Sequence, residues 1–138
     1  MITYEKVLVL KNIVLFNKAS ELALSDLATV SEEHMLKAGE TLLSGDQKNN
    51  ALYVVLSGML EVHKNKKVVQ EFGARQVLGE TTIFSPAPLG GEVKAKEKTF
   101  ILKILADQLY RVMALHPTLA YGFLDELSRR ARLAEKKD

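Results

Sequence analysis

The chain has no cysteine, no tryptophan and only three prolines in 138 residues, and its net charge is just +2. Without cysteine, neither a disulfide framework nor a thiolate metal site can be built. A reducing compartment is compatible with that, and the expected location is cytoplasmic. Long apolar runs are also missing. The stretch from Ile2 to Phe16 is interrupted by Glu5, Lys6, Lys11 and Asn12, so neither a secretion signal nor direct membrane insertion is expected. Basic charge is concentrated at one end. From Arg129 to Asp138 five basic residues stand against two acidic ones, a net of +3, which leaves −1 for the rest of the chain. A nucleic-acid footprint needs a basic face across a fold. The tail reads instead as a solvated helix end whose cations suit the macrodipole, and no nucleic-acid partner is expected.

Catalytic and metal-binding patterns are absent as well. His34, His63 and His116 lie far apart and lack the spacing of metal ligands, and no GxSxG elbow, Walker A loop or GxGxxG occurs. No enzyme activity, metal or cofactor is therefore expected.

What is present is a 47% hydrophobic chain of single-domain length, enough to bury roughly two-thirds of its unfolded surface. Three segments are expected within one domain: helical at about 1–30, β-rich at 31–105 and helical again at 106–138. Ser20 is a candidate N-cap for a helix presenting Leu22, Leu24 and Leu27. From Glu33 to Leu105 short β-branched and apolar runs alternate with turn residues, the pattern of a barrel or sandwich. Ala51 to Leu56 is a continuous apolar run, Lys64 to Lys67 a polar hairpin tip, and Val68 to Phe72 the strand after it. Asp107 can cap a helix carrying Leu109, Val112 and Met113, and Pro117 suits the first turn of the next. In that last helix Leu119, Phe123 and Leu127 recur four apart. They form a candidate interaction stripe, with packing onto the chain's own core as the simpler alternative.

The stretch from Leu78 to Lys96 reads LGETTIFSPAPLGGEVKAK. It resembles the phosphate-binding cassette of cyclic-nucleotide-binding domains, the family of the bacterial catabolite activators and kinase regulatory subunits. Gly79-Glu80 and Val93-Lys94-Ala95-Lys96 match the frame without a gap, and Gly39, Gly45, Gly58 and Gly73 fall where that family turns. The resemblance runs from about Phe16 to Arg132. It implies a mainly β fold with flanking α-helices, a double-stranded β-helix (jelly-roll) barrel with helices at both ends. It also implies a short helix opened by Gly79, whose N–H groups meet a phosphate, an arginine paired with that phosphate, and a glutamate accepting from the ribose 2′-hydroxyl.

The arginine position holds Leu89, the following small residues are Gly90 and Gly91, and Glu92 replaces a small or hydroxyl residue. Losing the charged partner of a buried pair costs roughly 2–5 kcal/mol, on the order of 30- to several-thousand-fold in affinity. Cyclic AMP or cyclic GMP is therefore a disfavoured ligand. The candidate pocket comprises Gly79, Glu80, Thr81, Leu89, Gly90, Gly91 and Glu92. Glu92 is expected near the anion site, where it would repel phosphate and, with Glu80, suit a cation or a neutral polyol. Lys94 or Lys96 could compensate for the missing charge. Glu80 also reads as a carboxylate favourable to a helix N-terminus, the simpler of the two readings.

The expected function is that of a non-catalytic regulatory or protein-interaction module, signalling through its C-terminal helices. The alternative is a small-molecule sensor. Its partner would be another protein, another domain of a longer chain, or a second copy of itself. No DNA-reading helix-turn-helix is expected after the last helix. The lead-in from Glu5 to Phe16 is similar to that of domains appended to larger proteins.

Overall fold

The computed structural model describes residues 1–136; Lys137 and Asp138, part of the basic tail, lie outside the described residues. The chain forms two compact units, one from Ser31–Ala106 and one from Met1–Val30 together with the segment from Asp107 onward.

The first unit holds eight strands: β1 (Glu32–Leu36), β2 (Thr41–Leu43), β3 (Ala51–Ser57), β4 (Leu60–Lys64), β5 (Lys67–Phe72), β6 (Val77–Leu78), β7 (Glu92–Ala95) and β8 (Thr99–Leu105). They make two four-stranded sheets with orders β1-β8-β3-β6 and β2-β7-β4-β5. Every pairing is antiparallel. One apolar cluster draws on both sheets: Tyr53, Val55 and Ile101 from the first meet Leu60, Val62 and Val93 from the second. β3 is buried along both faces from Ala51 to Val55, which is why its sequence is continuously apolar rather than alternating.

β4 alternates, with Leu60 and Val62 turned into the core and Glu61 and His63 outward. Lys64 ends this strand, opposite Lys67. The hairpin tip is therefore only Asn65 and Lys66, both at positive φ (51° and 66°), the backbone of a two-residue type I′ loop. The register shifts between Val62 and His63, leaving Val69 as an extra residue on β5.

The second unit contains α1 (Thr3–Lys11), a 3-10 turn (Val14–Phe16), α2 (Glu21–Val30), most of α3 (Ala106–Leu115) and α4 (Pro117–Glu135). Ser20 Oγ accepts from the Ala23 N–H at 3.1 Å, the capping bond expected of it. Leu24 and Leu27 are buried, whereas Leu22 is exposed. Pro117 opens α4. Asp107, expected as a cap, lies within the first turn of α3 because the helix begins at Ala106.

The C-terminal stripe requires a larger correction. Leu119 and Phe123 are 0% and 1% exposed, with the Phe123 ring 5.6 Å from that of Phe16. Gly122 allows this approach, since a Cβ there would fall 2.5 Å from the Leu15 carbonyl oxygen. These residues are core, and Leu127 is only half-buried. The apolar side chains that α4 leaves exposed are Tyr121, Leu124 and Leu133.

Candidate functional site

The segment after β6 carries the cassette frame, and its first turn is pinned by a buried polar network. Asn49 is fully buried, and its Nδ2 donates to the Ala51 carbonyl at 2.7 Å and to Thr82 Oγ1 at 3.0 Å. Its Oδ1 accepts from the Ala51 N–H at 3.3 Å, an Asx-type contact two residues along the chain. Thr82 Oγ1 donates to the Gly79 carbonyl at 3.2 Å, and the Thr82 N–H bonds the same oxygen. Gly79 must be glycine here. Its φ is +102°, and a Cβ would lie 2.5 Å from the Ala51 carbonyl oxygen and 2.6 Å from Asn49 Nδ2.

No helix follows. Gly79–Thr82 forms a single turn, and no helical residue occurs between β6 and β7. The local sequence explains the difference from expectation. Thr81, Thr82 and Ile83 are β-branched, and Pro86 and Pro88 steer Ser85 and Ala87 away from helical backbone. Pro88 instead forms a bridge with Lys48, and the Asn49 N–H bonds the Ala87 carbonyl. An anion here would find turn N–H groups, not a helix terminus.

Below this turn lies a cavity of about 210 Å³. Its apolar wall is Val62, Val69, Phe72, Leu78 and Leu89, and its polar groups come from Lys64, Gln70, Glu80 and Thr81 beside Gly79. Gly79, Glu80, Thr81 and Leu89 thus line one cavity. Leu89 does face the cavity, packed against the inter-sheet core. Gly90, Gly91 and Glu92 are not in it. They border a separate open depression of about 460 Å³, with Gly45, His63, Lys64 and Asn65.

Glu92 is a correction, because Val93 and Ala95 occupy the inward positions of β7 and strand alternation sends Glu92 and Lys94 to the other face. There Glu92 Oε1 contacts Lys94 Nζ at 3.1 Å and accepts from Thr41 Oγ1 at 3.3 Å. The hydrogen-bonded Lys94 ammonium holds the Glu92 carboxyl below its ordinary pKa. Glu92 neither repels a cavity anion at contact range nor joins Glu80 in an anionic pocket. Lys96 is engaged by Glu71 at 3.2 Å, and that bond raises its pKa, so neither candidate lysine supplies the missing charge.

Lys64, Gln70 and Asn49 were missed in the sequence. His34 and His63 contact Glu32 and Glu61 on their own strands at 3.2 and 3.3 Å. His116 Nε2 lies 2.7 Å from Asp26 Oδ2. Among the described residues no group of three or more His, Asp or Glu is placed to hold a metal.

Two facing antiparallel sheets, a Gly-Glu turn on β6 and a cavity beneath it define a β-rich domain of the cyclic-nucleotide-binding kind, with flanking helices. The family model "Cyclic nucleotide-binding domain" matches residues 33–116, and the chain belongs to this family. No curated protein matches it.

Among solved structures it is similar to the N-terminal domain of a transcriptional regulator from Streptomyces coelicolor A3(2), with 23% identity, a TM-score of 0.83 and 94% of each chain covered. It is also similar to the sensor domain of the transcriptional regulator DNR from Pseudomonas aeruginosa, at 18% identity and TM-score 0.84, covering 99% of this chain and 95% of that one. The C-linker/CNBHD of zELK channels, crystallised in the presence of cAMP, matches at 26% identity and TM-score 0.76 over 87% of this chain and 62% of that one. At these identities the two bacterial likenesses show the fold alone.

Proposed function

We propose that this chain is a non-catalytic regulatory or protein-interaction module in which tight binding of cyclic AMP and cyclic GMP has been lost. The observation that carries this reading is Leu89, an aliphatic side chain on the cavity wall where the family resemblance calls for arginine. The Gly-Glu turn of the cassette is kept, while the charge and the helix N-terminus expected of it are both replaced. The fold reading that goes with it is a jelly roll, supported by the order of the two four-stranded sheets. A single domain working in the cytoplasm suits the chain. No helix among the described residues is long and apolar enough to cross a membrane.

The partner is another protein, another domain of a longer chain or a second copy, met through the exposed side of α4 at Tyr121, Leu124 and Leu133. Regulation would be a shift in the population of C-terminal helix conformations. Calorimetric titration with cyclic AMP and cyclic GMP into the millimolar range tests the reading. No saturable heat and no melting shift are expected, and micromolar binding would overturn it. A second reading, a sensor for a different small molecule, is favoured by the cavity itself, which retains four polar side chains.

A further inference from the structure

The arginine position has lost its charge, but the cavity has not lost its cation. Lys64 shares the inward parity of Leu60 and Val62 on β4, so its stem runs along the same wall as Val62. It lines both the 210 Å³ cavity and the open depression beside it. The Gly90-Gly91 pair is shaped around this side chain. A Cβ on Gly90 would fall 3.1 Å from Lys64 Nζ and 3.2 Å from its Cε. One on Gly91 would fall 3.1 Å from Lys64 Cγ, 2.8 Å from Val62 Cγ1 and 2.7 Å from the His63 carbonyl oxygen. Larger residues in the loop would therefore push against the lysine or the β4 backbone. Among the described residues Lys64 forms no ion pair, unlike Lys11, Lys94 and Lys96.

We infer that Lys64 is the anion-binding group of this pocket, and that its ligand is a compact hydroxylated organic anion, smaller than a cyclic nucleotide. This rests on the sensor reading above. The charge follows from the lining: one ammonium, and one carboxylate, Glu80, which when ionised can only accept hydrogen bonds. A ligand matching both ends presents an anion to Lys64 and a hydroxyl to Glu80, with Gln70 and Thr81 as further polar contacts. The size follows from the cavity. About 210 Å³ is below the range of roughly 300–1,000 Å³ that holds drug-sized ligands. The apolar wall, including Leu89, suits a short carbon skeleton. Lysine as a compact point charge accepts either a carboxylate or a phosphate ester, so both sources share the chemistry.

The test is calorimetric titration of the whole chain with D-glycerate, glycerol 3-phosphate and cyclic AMP. It is run on the natural sequence, on Lys64→Met and on Lys64→Arg, with circular dichroism to verify folding. Lys64 is exposed, so both variants should fold. At least one of the two small anions should bind saturably, and more tightly than cyclic AMP. Lys64→Met should weaken that binding about 30-fold or more, and Lys64→Arg should retain most of it. Which small anion binds distinguishes a carboxylate from a phosphate source. Failure of both to bind, or equal binding to Lys64→Met, overturns the inference and leaves the reading of a lost nucleotide site standing. Tighter binding of cyclic AMP overturns the inference, and at micromolar affinity it sinks both.

Discussion

Replacing Asn49 by alanine removes a buried side chain that ties the Gly79–Thr82 turn to the start of β3, and the effect can be worked out bond by bond. Three hydrogen bonds disappear: two donated by Nδ2, to the Ala51 carbonyl and Thr82 Oγ1, and one accepted by Oδ1 from the Ala51 N–H. At about 1 kcal/mol net for each bond, the expected loss is about 3 kcal/mol. That is a large fraction of the roughly 5–15 kcal/mol that holds a typical domain folded. At roughly 3–5 °C per kcal/mol for a chain of this length, the melting temperature should fall by about 10–15 °C.

Asn49→Asp sharpens the test. It keeps an acceptor for the Ala51 N–H but turns the amide donor into an acceptor facing the Ala51 carbonyl. A carboxyl buried there has its pKa raised above the unfolded value of about 3.9. Relative to the natural sequence, the penalty of this substitution is therefore smallest below pH 4 and grows as pH rises through the folded-state pKa. Thermal melts across pH, with amide exchange of residues 79–83, provide the readout. A loss below about 1 kcal/mol in Asn49→Ala, or an Asn49→Asp penalty equal at pH 4 and pH 7, would refute the network's role.

Two further outcomes are expected. Glu92 titrates below its ordinary value of 4.5 because of Lys94, so its contribution to stability is present above that pH and is lost as pH falls through the lower folded-state value. Carboxyl NMR titration should show the shift vanish in Lys94→Met, and an unchanged titration would remove the pairing from the account. Phe123→Ala should cost about 3–5 kcal/mol in denaturant melts, whereas Leu124→Ala, on the exposed side of α4, should stay within about 0.5 kcal/mol. If Leu124→Ala proves as damaging as Phe123→Ala, the assignment of core and surface faces on this helix is wrong.

The sequence was most informative where the signal is local. Ser20 and Pro117 mark helix starts through chemistry confined to one turn. The unbroken apolar run of β3 reports burial on both faces. Where the information is non-local, the sequence is silent. Nothing local marks Asn49 as a core residue, because its partner Thr82 lies 33 positions away. Lys64 reads as part of a polar hairpin tip. Lys64 is the last residue of β4 and, though exposed, shares the parity of Leu60 and Val62, which a strand read only to His63 does not show.

Glu92 is a different kind of miss. The alternation of Val93 and Ala95 is legible in the sequence and by itself sends Glu92 outward, against the expectation that follows from its place beside the cassette. The Leu119 and Phe123 stripe was legible as apolar and helical, yet the same spacing serves a core or an interface. Only packing against Phe16 decides between them.

Lys64 and Leu89 meet at one cavity. An arginine on the cassette loop would enter the cavity from the side of Leu89 and engage an anion with a planar fork. Lys64 comes from the β4 wall, over two glycines, and offers a point charge with no fixed direction. The two arrangements do not select the same ligand. A fork held on a helix-opening loop favours a phosphodiester of fixed orientation. A single ammonium on a flexible stem, in a cavity that Leu89 also lines, would tolerate any small anion whose carbon skeleton fits the remaining space. Leu89 and Lys64 are thus better understood together than as a loss and an unrelated surface charge. In the proposed reading, Leu89 narrows the cavity against a nucleotide, and Lys64 supplies the charge for a smaller ligand.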